Sequence, residues 1–174
     1  MRQGEILGLR WRDVDLDAGV LRVTVALSRV EGQLVLAEPK TATSRRTLPL
    51  PAELVVALKV HRARQNAERL RAGDRWRDQG LVFPSTVGTP ISPRNLVRDF
   101  QALRERAGLP PMRFHDLRHS CISFLAAQGV PAKTAMEIAG HSQISLTLNV
   151  YTHAADEGKR AALAGLGRLL AVGD

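Results

Sequence analysis

Cysteine, tyrosine and long apolar runs are scarce in this sequence, and each scarcity narrows what the chain can be. Cys121 is the single cysteine, so no internal disulfide can form, and a reducing compartment is the natural setting. Aromatic residues make up 4% of the chain and include one tyrosine, Tyr151. Chemistry that needs a phenol therefore has one candidate. No apolar run approaches the ~20 residues that span a bilayer. A secretory signal is not expected either, because Met1 is followed at once by the charged, helical stretch Arg2–Arg10. The expected location is cytoplasmic, with no membrane partner. Internal repeats and linker-like segments are also lacking.

Positive charge, by contrast, is abundant. Lys and Arg total 25 against 17 Asp and Glu, a formal net charge of +8, and the sequence pI is about 10.9. Such a surface attracts polyanions, of which nucleic acid is the commonest, although a basic protein with no polyanion to bind has the same balance. The 174 residues are 44% hydrophobic and 24% charged, which fits one globular domain with a substantial core.

Periodicity and punctuation predict an α+β fold, mainly helical, with a small three-stranded antiparallel sheet. Arg2–Arg10 reads as the end of a helix that has no cap before it, as in a fragment of a longer chain, and Trp11–Gly19 reads as turns. Val20–Ala26 and Leu34–Ala37 are dense in Val and Leu and flank a Glu31-Gly32-Gln33 turn. A second turn, Pro39–Ser44, precedes a short strand ending at Leu50. Helices are expected over Ala52–Ala72, between Pro51 and Gly73, and from Pro93, after a Ser92 cap, to about Ala107. Further helices are expected over His115–Gln128, Ala132–Ala139, Ser145–His153 and Glu157–Leu170. The intervening Gly80–Pro93 reads as a loop holding an apolar piece, Leu81–Phe83.

Four short segments could carry chemistry. His115, Arg118 and His119 are three and four apart, on one helical face. An imidazole beside a guanidinium suits an anionic oxygen, because the Arg fork matches phosphate. The same residues could form a solvated basic helix start, while a zinc site would need a third ligand that the motif does not supply. Gly140 stops a helix and leaves His141 at a corner, ten residues before Tyr151. That tyrosine lies at helical spacing from Leu148 and Ile144, so a core ring with its hydroxyl at the edge is the competing reading. Arg2 and Glu5 are three apart and could be an ordinary surface ion pair. Lys40, Arg45 and Arg46 form a basic hairpin tip, suited either to solvent or to a DNA backbone.

Taken in order, Arg, Lys, His-x-x-Arg, Gly-His and Tyr resemble the active-site set of the tyrosine recombinases of the phage-integrase family. The phrases MRQGEILGLRWRDVDL, PKTATSRRTLPLP, FHDLRHSCISFLAAQG and AGHSQISLTLNVYTHA read as that family does, and the resemblance runs from Met1 to about Ala154. It implies the catalytic-domain fold of that family over residues 1–174, cut at its front, where the family carries further helices and a separate core-binding domain. It also implies a site-specific recombinase that cleaves and rejoins DNA through a 3′-phosphotyrosyl link. Tyr151 would be the nucleophile, and Arg2 and Arg118 would hold the non-bridging oxygens. Lys40 would protonate the leaving 5′-oxygen, and its two nearby arginines would lower its pKa. His115 would help accept the tyrosine proton, His141 would hydrogen-bond the phosphate, and Glu5 would support the site. No cofactor, metal or ATP is implied. The implied partner is double-stranded DNA with a specific recombination site, bound by a homo-tetramer that is possible as a monomer when free. The leucine-rich tail 159–170 would pack on a neighbouring protomer or on its own domain. A non-catalytic DNA-binding remnant and a topoisomerase relative are the alternatives.

Overall fold

Two glycines on one face of the first helix set how the N-terminal part of the molecule packs. Helix α1 (Gln3–Leu7) lies against a strand so closely that a Cβ on Gly4 would stand 2.6 Å from the carbonyl oxygen of Leu27, and one on Gly8 2.9 Å from its nitrogen. Only glycine admits backbone this near. The helix is shorter than the expected Arg2–Arg10, and it is capped: Arg2 takes the N-cap position and its backbone N–H donates to the Glu5 carboxylate at 2.8 Å. A carboxylate at the third helical position reaching back in this way satisfies a donor the helix leaves open.

The computed structural model describes residues 1–38, 45–140 and 151, and the chain packs as two compact units, Met1–Leu117 and Arg118–Asp174. Lys40, His141 and the helices expected over 145–153 and 157–170 lie outside the described residues, apart from Tyr151 itself. Helices with a small antiparallel sheet make up the described part, the α+β class expected.

In the first unit the strands are β1 (Val14–Asp15), β2 (Val20–Val23), β3 (Ala26–Val30), β4 (Gln33–Ala37) and β5 (Arg46–Pro49). The three-stranded antiparallel sheet exists, but its order is β1-β2-β5, while β3 and β4 form a separate hairpin. The strand expected over Val20–Ala26 is broken at Thr24-Val25, and the chain changes pairing partners there: Leu21 faces Leu48, whereas Leu27 faces Leu36. The hairpin turns on Glu31 and Gly32, at φ 47° and 81°. Two consecutive positive φ values make the turn whose twist matches its strands.

Leu21 and Val23 point inward from β2 and join Leu9, Val14, Leu58 and Val82 in the core. Leu58 comes from α2 (Ala52–Ala72), which begins after Pro51 and ends at Gly73, with φ 52°. Val82 comes from the expected loop, whose apolar piece docks as extended chain along the end of α1: Val82 N–H donates to Leu9 O and Trp11 N–H to Gly80 O, both at 2.8 Å. Gln65 of α2 ties these together, accepting from the Trp11 indole at 2.5 Å and donating to the carbonyls of Leu81 and Val82 at 3.0 and 3.1 Å.

Helix α3 (Pro93–Arg106) starts with Ser92 at the N-cap and Pro93 at its first position. The Gln3 side chain donates to its Pro93 carbonyl at 3.1 Å, and Phe100 meets Phe114 edge-to-face at 5.4 Å between centroids. With Gln101 donating to Met112 O at 2.9 Å, these contacts fix the segment leading to His115.

Helix α4 (Asp116–Ala127), which belongs to the second unit from Arg118 onward, buries Arg118, Ile122 and Ala126, a single stripe at four-residue spacing. Helix α5 (Ala132–Ala139) buries Ala135 and Ala139. It ends on Gly140 in the left-handed region, whose N–H donates to Met136 O at 2.8 Å, the usual glycine stop.

Candidate active site

Three candidate residues of the first unit, Arg2, Glu5 and Arg46, meet at one buried carboxylate. Glu5 is 3% exposed, which is not the solvated ion pair that its spacing from Arg2 permits. Its Oε1 accepts from Nη1 of Arg2 and from Nη1 of Arg46, each at 3.2 Å, and its Oε2 accepts from Nη2 of Arg46 at 2.9 Å and from the Arg2 backbone at 2.8 Å. Burial alone pushes the Glu5 carboxyl up. The hydrogen bond from Arg46, the Arg2 backbone N–H and the two guanidinium charges outweigh it, so the carboxyl sits below its ordinary value of 4.5. Ionised Glu5 therefore contributes stability that is present above pH 4.5 and is lost as the pH falls through the lowered value. Glu5→Gln is expected to cost about 3 kcal/mol at neutral pH, because a buried guanidinium loses its counter-charge. Urea melts of both proteins should converge as the pH is taken below 4.5; a gap of constant size at every pH would contradict this.

Arg46, expected at a basic tip as a DNA-backbone contact, is instead drawn inward onto Glu5. Its side chain is 9% exposed, turned inward from β5 because the strand alternates and Glu5 lies beneath it. Arg45, its neighbour, does face solvent, at 57% exposure, paired with Glu38.

Around α4, His115 is the exposed residue just before the helix and His119 is exposed in its first turn. Arg118, between them in sequence, is 6% exposed, which is deeper than a solvated basic helix start would hold it. The helix is started by Asp116, whose carboxylate accepts from the Arg113 backbone at 2.8 Å and from its guanidinium at 2.9 Å. Among the described residues, no cluster of three or more His, Cys, Asp or Glu side chains stands where a metal ion could be held.

Tyr151 is half-buried and its hydroxyl donates to the Val130 main-chain carbonyl at 2.8 Å. Desolvation raises its pKa above 10.0, since the phenolate would lose more hydration than the phenol. This arrangement keeps the proton on the oxygen. Attack on an electrophile requires the hydroxyl to leave that carbonyl or to meet a base.

The structure thus joins Arg2, Glu5 and Arg46, seats Arg118 on a buried stripe, and gives the Tyr151 hydroxyl a main-chain partner. Lys40 and His141 lie outside the described residues. The grip of Arg46 on Glu5 was missed from the sequence. The alternation along the strand, with Arg45 outward and Arg46 inward, is the signal that could have revealed it.

A family model described as the phage integrase family matches residues 1–158. A tyrosine recombinase XerC-like protein of Caldanaerobacter subterraneus subsp. tengcongensis is 38% identical over 181 aligned residues, covering 97% of this chain and 46% of that protein. An integrase of Streptomyces ambofaciens is 44% identical over 117 residues, covering 66% of this chain and 30% of its own. Among solved structures, the Tn1549 transposon integrase in complex with circular intermediate DNA superposes with a TM-score of 0.72 at 28% identity. That match covers 95% of this chain and 56% of the other. The chain therefore spans about half, or less, of the length of the curated relatives it matches.

Proposed function

The chain belongs to the phage integrase family, and from that premise we propose that it carries the strand-cleavage chemistry of a site-specific DNA recombinase. The Tyr151 phenol oxygen attacks the scissile phosphorus as the bond to the 5′-oxygen breaks, leaving a 3′-phosphotyrosyl link and a free 5′-hydroxyl. His115 takes the phenol proton, and Lys40 gives one to the leaving oxygen. Arg2 and Arg118 neutralise the charge that builds on the non-bridging oxygens, with His141 adding a hydrogen bond. Because the covalent link keeps the energy of the phosphodiester, a 5′-hydroxyl from a second strand reverses the step without ATP.

The observation that carries this reading is the buried carboxylate that orients Arg2. Withdrawing Glu5 to 3% exposure and surrounding it with guanidinium groups is costly for a surface ornament, and it is the kind of charge arrangement that functional sites keep. Residues 1–174 are read as the C-terminal catalytic domain of a longer recombinase, in keeping with the 46% and 30% of the two relatives that they span. The partner is duplex DNA bearing a recombination site, bound by a homo-tetramer. Support for DNA comes from the net charge of +8 and from the Tn1549 integrase, whose structure holds DNA.

The test is covalent capture. The protein is incubated, with EDTA present, with a pool of nicked duplexes of random sequence, placed so that the cleaved fragment diffuses away. The reading predicts an adduct that survives denaturation and a recurrent DNA sequence in the captured fraction. Retention of DNA without any adduct would favour a binding module that performs no chemistry.

A further inference from the structure

We propose that Arg46 is a positioning residue of the cleavage site, which through Glu5 sets the guanidinium of Arg2 against the scissile phosphate. The inference rests on the recombinase reading above and adds to it a residue outside the catalytic set.

Three observations support it. The first is geometric. Each oxygen of Glu5 serves both arginines: Oε1 takes an Nη1 donor from each, and Oε2 takes Nη2 of Arg46 and the Arg2 backbone, all between 2.8 and 3.2 Å. Arg46 grips the carboxylate as a two-pronged fork, the strongest way a guanidinium can orient one. With the carboxylate plane fixed, the side chain and the backbone of Arg2 are fixed with it.

The second is the gradient of exposure. The Arg46 side chain is 9% exposed, Glu5 3% and Arg2 40%. An incoming phosphate can reach only the last of the three, so Arg46 acts behind the site and not in it. The anchor is firm, because Arg46 lies in β5, paired with Val23 of β2, and α1 is locked onto β3 through Gly4 and Gly8.

The third is charge. Alone, Glu5 and Arg2 would cancel, and Glu5 would draw the Arg2 guanidinium wholly to itself. With Arg46 sharing the carboxylate, these three side chains set two positive charges against one negative, and the Arg2 guanidinium is the one that faces outward. A preorganised charge of this kind is what a developing oxyanion needs.

The experiment uses a nicked duplex recovered by covalent capture, made with either a phosphate or a neutral methylphosphonate at the scissile position. Arg46→Gln is expected to slow adduct formation on the phosphate by about 100-fold, the scale of losing one preorganised donor. Its DNA affinity should stay within about threefold, since the loss lies in the transition state. On the methylphosphonate, which has one fewer charge to neutralise, the deficit should shrink to about tenfold or less. Arg46→Lys keeps the buried charge and serves where the Gln variant does not fold. It is expected to be about tenfold slow on phosphate, because lysine lacks the fork, and near wild type on methylphosphonate. Equal deficits on both substrates would mean a general folding defect, and unchanged rates would mean no role. Either overturns the proposal while leaving the recombinase reading intact. Absence of any adduct from the wild-type chain would instead remove that reading, and this inference with it.

Discussion

Tyr151→Phe is expected to lower covalent capture of nicked DNA by at least about 10⁴-fold, the scale at which losing a nucleophile leaves only background. Binding should stay within about threefold, because DNA affinity comes from the basic surface and not from the phenol. The substitution is conservative for the fold. The ring keeps its half-buried place, and one hydrogen bond, to the Val130 carbonyl at 2.8 Å, is lost at a cost of about 1 kcal/mol. No other phenol can take over, since the sequence has a single tyrosine. A variant that captures DNA normally would assign the link to some other side chain. The raised phenol pKa adds a pH signature. Phenolate is scarce at neutral pH while the hydroxyl rests on Val130, so capture should accelerate as the pH rises above neutral and fall again once Lys40 loses the proton it gives to the leaving oxygen.

Arg118→Ala is expected to reduce capture on the order of 10³-fold, comparable to removing an arginine that stabilises a phosphoryl transition state. The expectation has two parts, and the readout must separate them. Arg118 is 6% exposed and shares a stripe of α4 with Ile122 and Ala126, so truncation also removes packing, and thermal stability should fall. Arg118→Lys restores most of the bulk and the charge but not the planar fork. It should recover stability while leaving capture about 10²-fold slow. If Lys restored capture together with stability, Arg118 would be a packing residue.

The legible parts of this molecule are the ones written in local chemistry. Pro51 and Gly73 bracket α2, and Gly140 stops α5 in the left-handed region. Gly32 turns the hairpin, because these residues restrict or free the backbone wherever they stand. The break at Thr24-Val25 was not legible. Both residues favour strands, so the apolar run continues unbroken in the sequence while the pairing, which is non-local, changes from β5 to β4. Leu81–Phe83 likewise read as an apolar piece of loop, and only its docking along Leu9–Trp11 makes it core.

The site divides in the same way. Residue types and their order suggested Arg2, Glu5, Arg118 and Tyr151, but burial could not be read from spacing. Glu5 looked like half of a surface pair and is 3% exposed. Arg46 looked like part of a basic tip because Arg45 stands beside it, yet the two point opposite ways and only Arg45 is solvated. The partner of Tyr151 is a backbone carbonyl, which carries no signature in the identity of Val130.

The most direct measurement is the site of the covalent link. Protein captured on nicked DNA is digested with nuclease and trypsin, and the peptides are read by tandem mass spectrometry. The account predicts one modified peptide, carrying a nucleotide whose 3′-phosphate is esterified to the oxygen of Tyr151. A nucleotide on a serine, a histidine or Lys40, or one joined through its 5′ phosphate, would contradict it.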